Sequence, residues 1–267
     1  MNRSISSGRG AVAIAALLVL AFSACSPAPA GTATRGPTTT GPAAGAASPS
    51  APATGSVAPS AAPGGKVAED LVATLHGDPF IAHIEESILA SSRTGSVRIT
   101  LTAKAVGDVS GRDAAIHATG TGGGPPVDQE TVAVGDVAWT RKKGTATWGV
   151  HPRTDVASSL DGLLTTIRLI DDPSQLVDLG VEDLDGASLH HLTAAGSVAY
   201  RGLTGVEGSY DTFDVWATDK GVPVLMKATF SEVQGINSIT GGTEIRYTKV
   251  GGPITIAPPA GAPSRAP

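Results

Sequence analysis

Val97-Arg98-Ile99-Thr100-Leu101-Thr102-Ala103-Lys104 alternates apolar and polar side chains without a break. Successive residues of a strand point to opposite faces, so this stretch predicts a β-strand with Val97, Ile99 and Leu101 on a dry face and Arg98, Thr100 and Lys104 on a wet one. Downstream, the same two-residue period returns in short runs at 114–119, 130–134, 137–141 and 145–150. Turn residues at 120–126, Gly135-Asp136 and Lys143-Gly144 separate them, and strands so spaced form an antiparallel meander. The final third repeats the pattern at 187–192, 198–203, 212–218, 222–232 and 238–250, with Ile254-Thr255-Ile256 behind them.

Helical spacing appears in three places. Val67, Leu71, Val72 and Leu75 share one helical face. Asp78-Pro79 reads as a helix start, followed by Ile81, Ile84 and Ile88 with Glu85 and Glu86 outward, and Arg93-Thr94-Gly95 as its end. Leu160, Leu163, Leu164 and Ile167 follow Ser158-Ser159, and Asp172-Pro173 opens a short turn through Leu176 and Val177 that stops at Gly180. The order helix, strands, helices, strands predicts an α+β layer fold: one large, curved antiparallel sheet with helices against one face.

Ahead of this body the composition changes. Arg3 and Arg9 precede an uncharged run from Ala11 to Ala24, too short for a comfortable membrane span and of the length of a signal-peptide core. The run ends in Leu20-Ala21-Phe22-Ser23-Ala24-Cys25, which resembles a bacterial lipobox with Phe22 where leucine is usual, and Cys25 is the chain's sole cysteine. Lipidation of Cys25 is the expectation, giving a membrane anchor. The competing readings are cleavage after Ser23, which releases a soluble protein with a free thiol, and a cysteine that is simply buried. From Ser26 to Gly65 nearly every residue is Ala, Pro, Gly, Ser or Thr, with Arg35 the only charge. Such a stretch buries too little apolar surface to offset its ordering entropy. Forty such residues reach roughly 35 Å as a coil and about 120 Å as polyproline helix, a spacer that could also carry O-linked sugars. The division expected is therefore a signal peptide over 1–24, the lipidated cysteine and spacer over 25–65, one domain over 66–258 and a loose tail over 259–267.

Charge and chemistry exclude several classes. The 267 residues carry 19 basic and 24 acidic side chains, and Arg3, Arg9 and Arg35 all precede the domain, which is thus distinctly acidic and no nucleic-acid binder. One cysteine forbids an internal disulfide and a cysteine zinc cluster. His190 and His191 are adjacent, so on a strand they diverge, while His76, His83, His117 and His151 stand in unrelated contexts. Gly95-Ser96 and Gly208-Ser209 lack a nucleophile elbow, and the glycine run at 122–124 leads into prolines rather than a phosphate-binding helix. Asp171, Asp172, Asp183 and Asp185 read as loop carboxylates or caps. No catalytic constellation, metal site or cofactor is expected.

Three segments carry a family resemblance. Val132-Ala133-Val134-Gly135-Asp136-Val137-Ala138-Trp139, Val215-Trp216-Ala217-Thr218-Asp219-Lys220-Gly221-Val222-Pro223-Val224 and 250–259 together resemble the LolA/LolB lipoprotein-carrier superfamily, and within it the LprG/LppX-type actinobacterial lipoproteins. The resemblance spans roughly 67–259. It implies a half-barrel of antiparallel strands with helices in or over its concave face, holding the acyl chains of a lipid, glycolipid or lipoprotein, anchored on the extracytoplasmic face of a cell membrane and served by an envelope transporter partner. The residues expected to line that apolar site are Val97, Ile99, Leu101, Val137, Trp139, Val215, Val224, Met226, Phe230 and Ile245, with Leu164 and Ile167 closing over them. The same residues would equally form the filled core of a non-catalytic interaction module, and a hydrolase with an unrecognised site is a third reading.

Overall fold

The computed structural model describes residues 62–94, 96–122, 125–154, 166–201, 207–234 and 237–264. Cys25, the signal-peptide core, the spacer before Ala62 and Leu160, Leu163 and Leu164 of the expected central helix lie outside the described residues.

The chain enters through β1 (Ala62–Pro63), then α1 (Gly65–Leu75). Ala68, Leu71 and Leu75 fall on one stripe of α1 and are fully or almost fully buried, while Lys66 and Asp70 pair at 2.8 Å one turn apart on the wet side. Each leucine contributes on the order of 2 kcal/mol through burial. Ala62 and Pro63 pair with a strand edge, and the Gly64 amide donates to the Leu176 carbonyl at 3.0 Å, so these residues ahead of Lys66 pack with the sheet.

The second helix expected, from Asp78-Pro79 to Arg93, is instead a long strand, β2 (Ile81–Thr94). Ile84 and Ile88 are four residues apart, a spacing that shares a face in either conformation. In the strand they are joined by Ala82, Glu86, Ala90 and Ser92, and Ile81 turns to the opposite side. The meander continues through β3 (Val97–Ser110), β4 (Asp113–Thr121), β5 (Val127–Val134), β6 (Val137–Lys142) and β7 (Gly149–Pro152). The run expected at 145–150 is a strand only from Gly149. After a 3-10 turn at Pro173–Gln175, where Asp172 accepts from the Ser174 amide, β8 (Leu176–Leu184) replaces the expected turn through Gly180. Then come β9 (Ala187–Ala194), the hairpin β10 (Val198–Arg201) and β11 (Glu207–Tyr210), β12 (Thr212–Ala217), β13 (Pro223–Gln234) and β14 (Asn237–Val250). Ile254-Thr255-Ile256 forms no strand. Between β8 and β9, Asp185 and Gly186 both adopt left-handed backbone (φ 55 and 83), the pair of positive angles that a two-residue hairpin turn needs to match strand twist.

Among the described residues the main sheet has the order β1-β8-β9-β12-β13-β14-β2-β3-β4-β5-β6-β7, with β10-β11 a separate hairpin. Each of these neighbouring pairs runs antiparallel, and the two halves meet where β14 pairs with β2 over almost their full length. The β7 edge is blunted, a four-residue strand ending at Pro152. The sheet is open and curved, a half-barrel. Its concave face gathers Ala133 and Ala138 from one wing, Leu192 and Phe213 from the other and Ile84, Met226 and Ile245 from the centre into one apolar cluster with the buried side of α1. Gly221, in the turn between β12 and β13, lets that turn lie directly on α1: a Cβ there would sit 2.3 Å from the Leu71 nitrogen, and its φ is +67°.

Candidate functional site

Strand register decides which side chains look into the half-barrel. Across β2 and β3 the inward residues pair as Ala82 with Val109, Ile84 with Gly107, Glu86 with Ala105, Ile88 with Ala103, Ala90 with Leu101 and Ser92 with Ile99. On the other flank Tyr247 stands opposite Ile84, Ile245 opposite Glu86, Thr243 opposite Ile88 and Gly241 opposite Ala90. The wall beyond β3 is built of small residues, Ala118 opposite Ala105 and Gly120 opposite Ala103. Near α1 this face is a continuous filled core. On β12 and β13 that core continues one row past Glu86 through Phe213 and Ala228. On the β2–β4 side, the buried Ala118 in the row of Glu86 and the buried Ala90 and Leu101 further along lie outside it, flanked by the half-buried Ile99, while the Phe230 ring lies over Gly241.

The residues expected to line an apolar site divide accordingly. Val215, Met226 and Ile245 are inward and fully buried, and Ile167 is buried in the same cluster. Phe230 packs against its edge, and Leu101 and Ile99 continue the inward row beyond it. Val97 has the inward parity but sits at the hairpin tip with 59% of its surface exposed, so it is a rim residue. Val137 and Trp139 are on the other face. Ala138, between them, is the inward residue of β6, and the Trp139 indole N–H donates to the Pro263 carbonyl at 2.9 Å. Pro263, in the segment expected to be loose, therefore lies on the convex side against Trp139. Val224 is half-buried at the bulge where Ala217 pairs with Pro223, outside the cluster. Leu164 lies outside the described residues.

Sequence reasoning missed the polar part of the concave face. Glu86, expected outward on a helix, is only 9% exposed and lies between Ile84 and Ile88. Thr243 donates to its Oε1 at 3.2 Å. Desolvation pushes the Glu86 carboxyl up to about 7, and the Thr243 hydrogen bond offsets a part of that rise. One diagonal position away, the buried Tyr247 hydroxyl has no hydrogen-bond partner among the described residues, and burial followed by the nearby Glu86 charge raises its pKa. Phe80 meets the Tyr247 ring edge-on at 6.4 Å. The available signal was the run Ala82-x-Ile84-x-Glu86-x-Ile88-x-Ala90, in which an acidic residue occupies an otherwise apolar period-two stripe.

The convex face is a different environment. His191 stacks on Trp216 at 4.3 Å, with its ring nitrogens 3.0 Å from Glu182 and 3.1 Å from Asp214. The Trp216 indole N–H donates to Glu182, and this bond, with the His191 contact, holds the Glu182 carboxyl below the usual carboxylate range. Lys227, Glu244, Arg246 and Asp185 extend the row as ion pairs. His190 points the other way, to Asp178 at 2.9 Å, so the two adjacent histidines diverge. Such exposed ladders of alternating charge solvate a sheet face and each pair adds little stability. Among the described residues no three His, Cys, Asp or Glu side chains group so as to hold a metal ion, and no helix is long and apolar enough to cross a membrane.

No protein-family model matches the sequence, and no curated protein does. Among solved structures the chain is similar to LprF from Mycobacterium bovis, at 15% identity and a TM-score of 0.48, over 74% of this chain and 97% of that one. It is also similar to a LolA superfamily protein from Nitrosomonas europaea, at 9% identity and a TM-score of 0.24, over 69% and 90%. A putative outer membrane lipoprotein-sorting protein domain from Vibrio parahaemolyticus matches at 11% identity and a TM-score of 0.20, over 69% and 89%. All three are distant by both measures, and none supplies a residue of the site.

Proposed function

We propose that this chain is an extracytoplasmic lipoprotein, anchored through Cys25, that binds the acyl chains of a lipid or glycolipid on the concave face of its half-barrel and passes the lipid on within the cell envelope. The observation that carries the reading is the division of one sheet face into two apolar stretches. The first is filled by Leu71 and Leu75 of α1. The second, on β2, β3 and β4 from the row of Glu86 outward, is lined by Ala118, Ala90, Leu101 and Ile99, with Ala103, Gly120 and Gly241 between them and Phe230, which packs on the first stretch, at the margin. Small residues along such a wall leave width for a polymethylene chain, and burial of apolar area at about 25 cal/mol per Å² supplies affinity without any catalytic group. The stretch rich in Ala, Pro, Gly, Ser and Thr between Cys25 and Ala62 lets the binding body stand off from an anchored N-terminus.

The test is native mass spectrometry of the full chain purified from an actinobacterial host, followed by organic extraction. A lipid bound one to one that survives purification supports the reading and names the cargo class. An apo mass, unchanged after incubation with total host lipid, overturns it in favour of an interaction module whose core is filled throughout.

A further inference from the structure

The described residues hold one buried polar group of an unusual kind for a lipid-binding wall. Glu86, Thr243 and Tyr247 all point to the concave side, in three successive rows, with Tyr247 inside the cluster around α1 and Glu86 beside it. Glu86 stands opposite Ile245, with Thr243 and Tyr247 two residues to either side of that position on β14. Thr243 already donates to Glu86, but the Tyr247 hydroxyl donates to nothing among the described residues although its residue is 5% exposed and feels the Glu86 charge. A buried donor without an acceptor and a buried carboxyl with one hydroxyl partner both forfeit hydrogen-bond energy that water would have supplied.

We infer that Glu86 and Tyr247 form a recognition point for a hydroxyl group of the bound lipid, and that the ligand is a neutral hydroxyl-bearing acyl lipid rather than an anionic one. This rests on the lipid-binding reading above and names its substrate class. Among the polar groups of acyl lipids, a hydroxyl both accepts and donates: its oxygen takes the Tyr247 O–H and its proton goes to the Glu86 carboxyl. An ester oxygen only accepts, so it offers nothing to the ionised Glu86 carboxylate. A fully ionised phosphate also only accepts, and any phosphate brings negative charge against a carboxyl in a low-dielectric wall, in a domain of net negative charge. A site built to hydrogen-bond a hydroxyl rejects an analogue lacking it, because the site's own buried polar groups are then left unpaired.

The experiment titrates the full chain with three lipids sharing the same two oleoyl chains: dioleoylglycerol, its acetylated derivative in which the hydroxyl is capped, and dioleoylphosphatidic acid, each read as occupancy by native mass spectrometry. The inference expects dioleoylglycerol to bind at least about tenfold more tightly than either of the others. Tyr247→Phe, which removes one oxygen and leaves the ring, should reduce that preference to within about threefold without weakening the capped lipid. Glu86→Leu should do the same from the other side of the hydroxyl. Equal affinity for the free and capped lipids, tighter binding of the phosphatidic acid, or a preference that survives Tyr247→Phe would overturn the inference while leaving lipid binding intact. No uptake of any of the three overturns both.

Discussion

Glu86→Gln isolates the energetic consequence of putting a carboxyl on the concave face. Its pKa rises from the ordinary 4.5 to about 7, chiefly because burial penalises the charged form. At about 1.36 kcal/mol per pH unit, ionising Glu86 in the folded state costs on the order of 3 kcal/mol more than in the unfolded chain. Between these two values the folded protein holds the proton and the unfolded chain does not, so stability falls as pH rises through that window. About 2.5 kcal/mol of it is lost between about pH 5 and pH 8. Tyr247, the titratable group whose charge coupling to Glu86 is resolved, stays neutral throughout because its own pKa is raised. Exposed carboxyls such as Glu182 and Asp172 are shifted downward and act below this window. The assay is urea unfolding of the full chain and of Glu86→Gln at closely spaced pH values, with thermal melts alongside. Glutamine keeps the shape and an oxygen for Thr243 but has no proton to lose. The two chains should match to within about 1 kcal/mol near pH 5 and diverge above it, the variant gaining about 2–3 kcal/mol by pH 8. For a body of this size, that gain raises the melting temperature by roughly 5–12 °C. Stability curves that remain parallel from pH 5 to pH 8 would refute the reasoning, because they would mean that Glu86 titrates alike in both states.

Two other substitutions and a truncation test the frame around the site. Gly221→Ala adds a Cβ 2.3 Å from the Leu71 nitrogen at a left-handed backbone position, and should destabilise the protein by more than about 2 kcal/mol, read as a lower urea midpoint at unchanged slope. Leu71→Ala removes a fully buried side chain from the middle of the α1 contact and should cost about 2–5 kcal/mol, with a loss near 1 kcal/mol showing that α1 is only loosely seated. Ending the chain after Pro259 removes the carbonyl that accepts the Trp139 indole N–H; tryptophan emission should shift to the red and about 1 kcal/mol of stability should go, whereas an unchanged spectrum would show that the tail does not cover Trp139 in solution.

How much of this was legible in the sequence depends on how local the cause is. The alternation at 97–104 places β3 and its inward face correctly, because that face is dry and the other wet. Leu71 and Leu75 likewise identify α1 by spacing alone. The failures come where two signals coincide. Ile84 and Ile88 fit a strand as well as a helix, and adjacent Glu85 and Glu86 read as one solvated face although the strand sends them to opposite sides. In β6 both faces are covered, one by the core at Ala138 and one by the tail at Trp139, so polarity cannot choose between them and size misleads. The pairing of β14 with β2 joins residues about 150 positions apart, and only that contact sets Thr243 and Tyr247 beside Glu86. A site assembled across such a seam leaves no short motif.

The position of Glu86 argues against an accidental buried charge. Ile84, Ile88 and Ile245 surround it, so an aliphatic side chain at 86 would complete the stripe and remove a burden on the order of 3 kcal/mol, a large part of the 5–15 kcal/mol by which domains are stable. Destabilising polar groups of this kind accumulate where a protein must bind something, since a ligand that satisfies them returns the lost free energy as affinity. The coupling also has a fixed sign. A hydroxyl that donates to Glu86 favours its charged form, so binding must draw the carboxyl back toward its ordinary range, and by linkage the lipid must bind more tightly where Glu86 is ionised than where it is protonated. A carboxyl poised near 7 therefore makes retention of the lipid strongest at neutral pH and above, and release easier as the surroundings turn acidic.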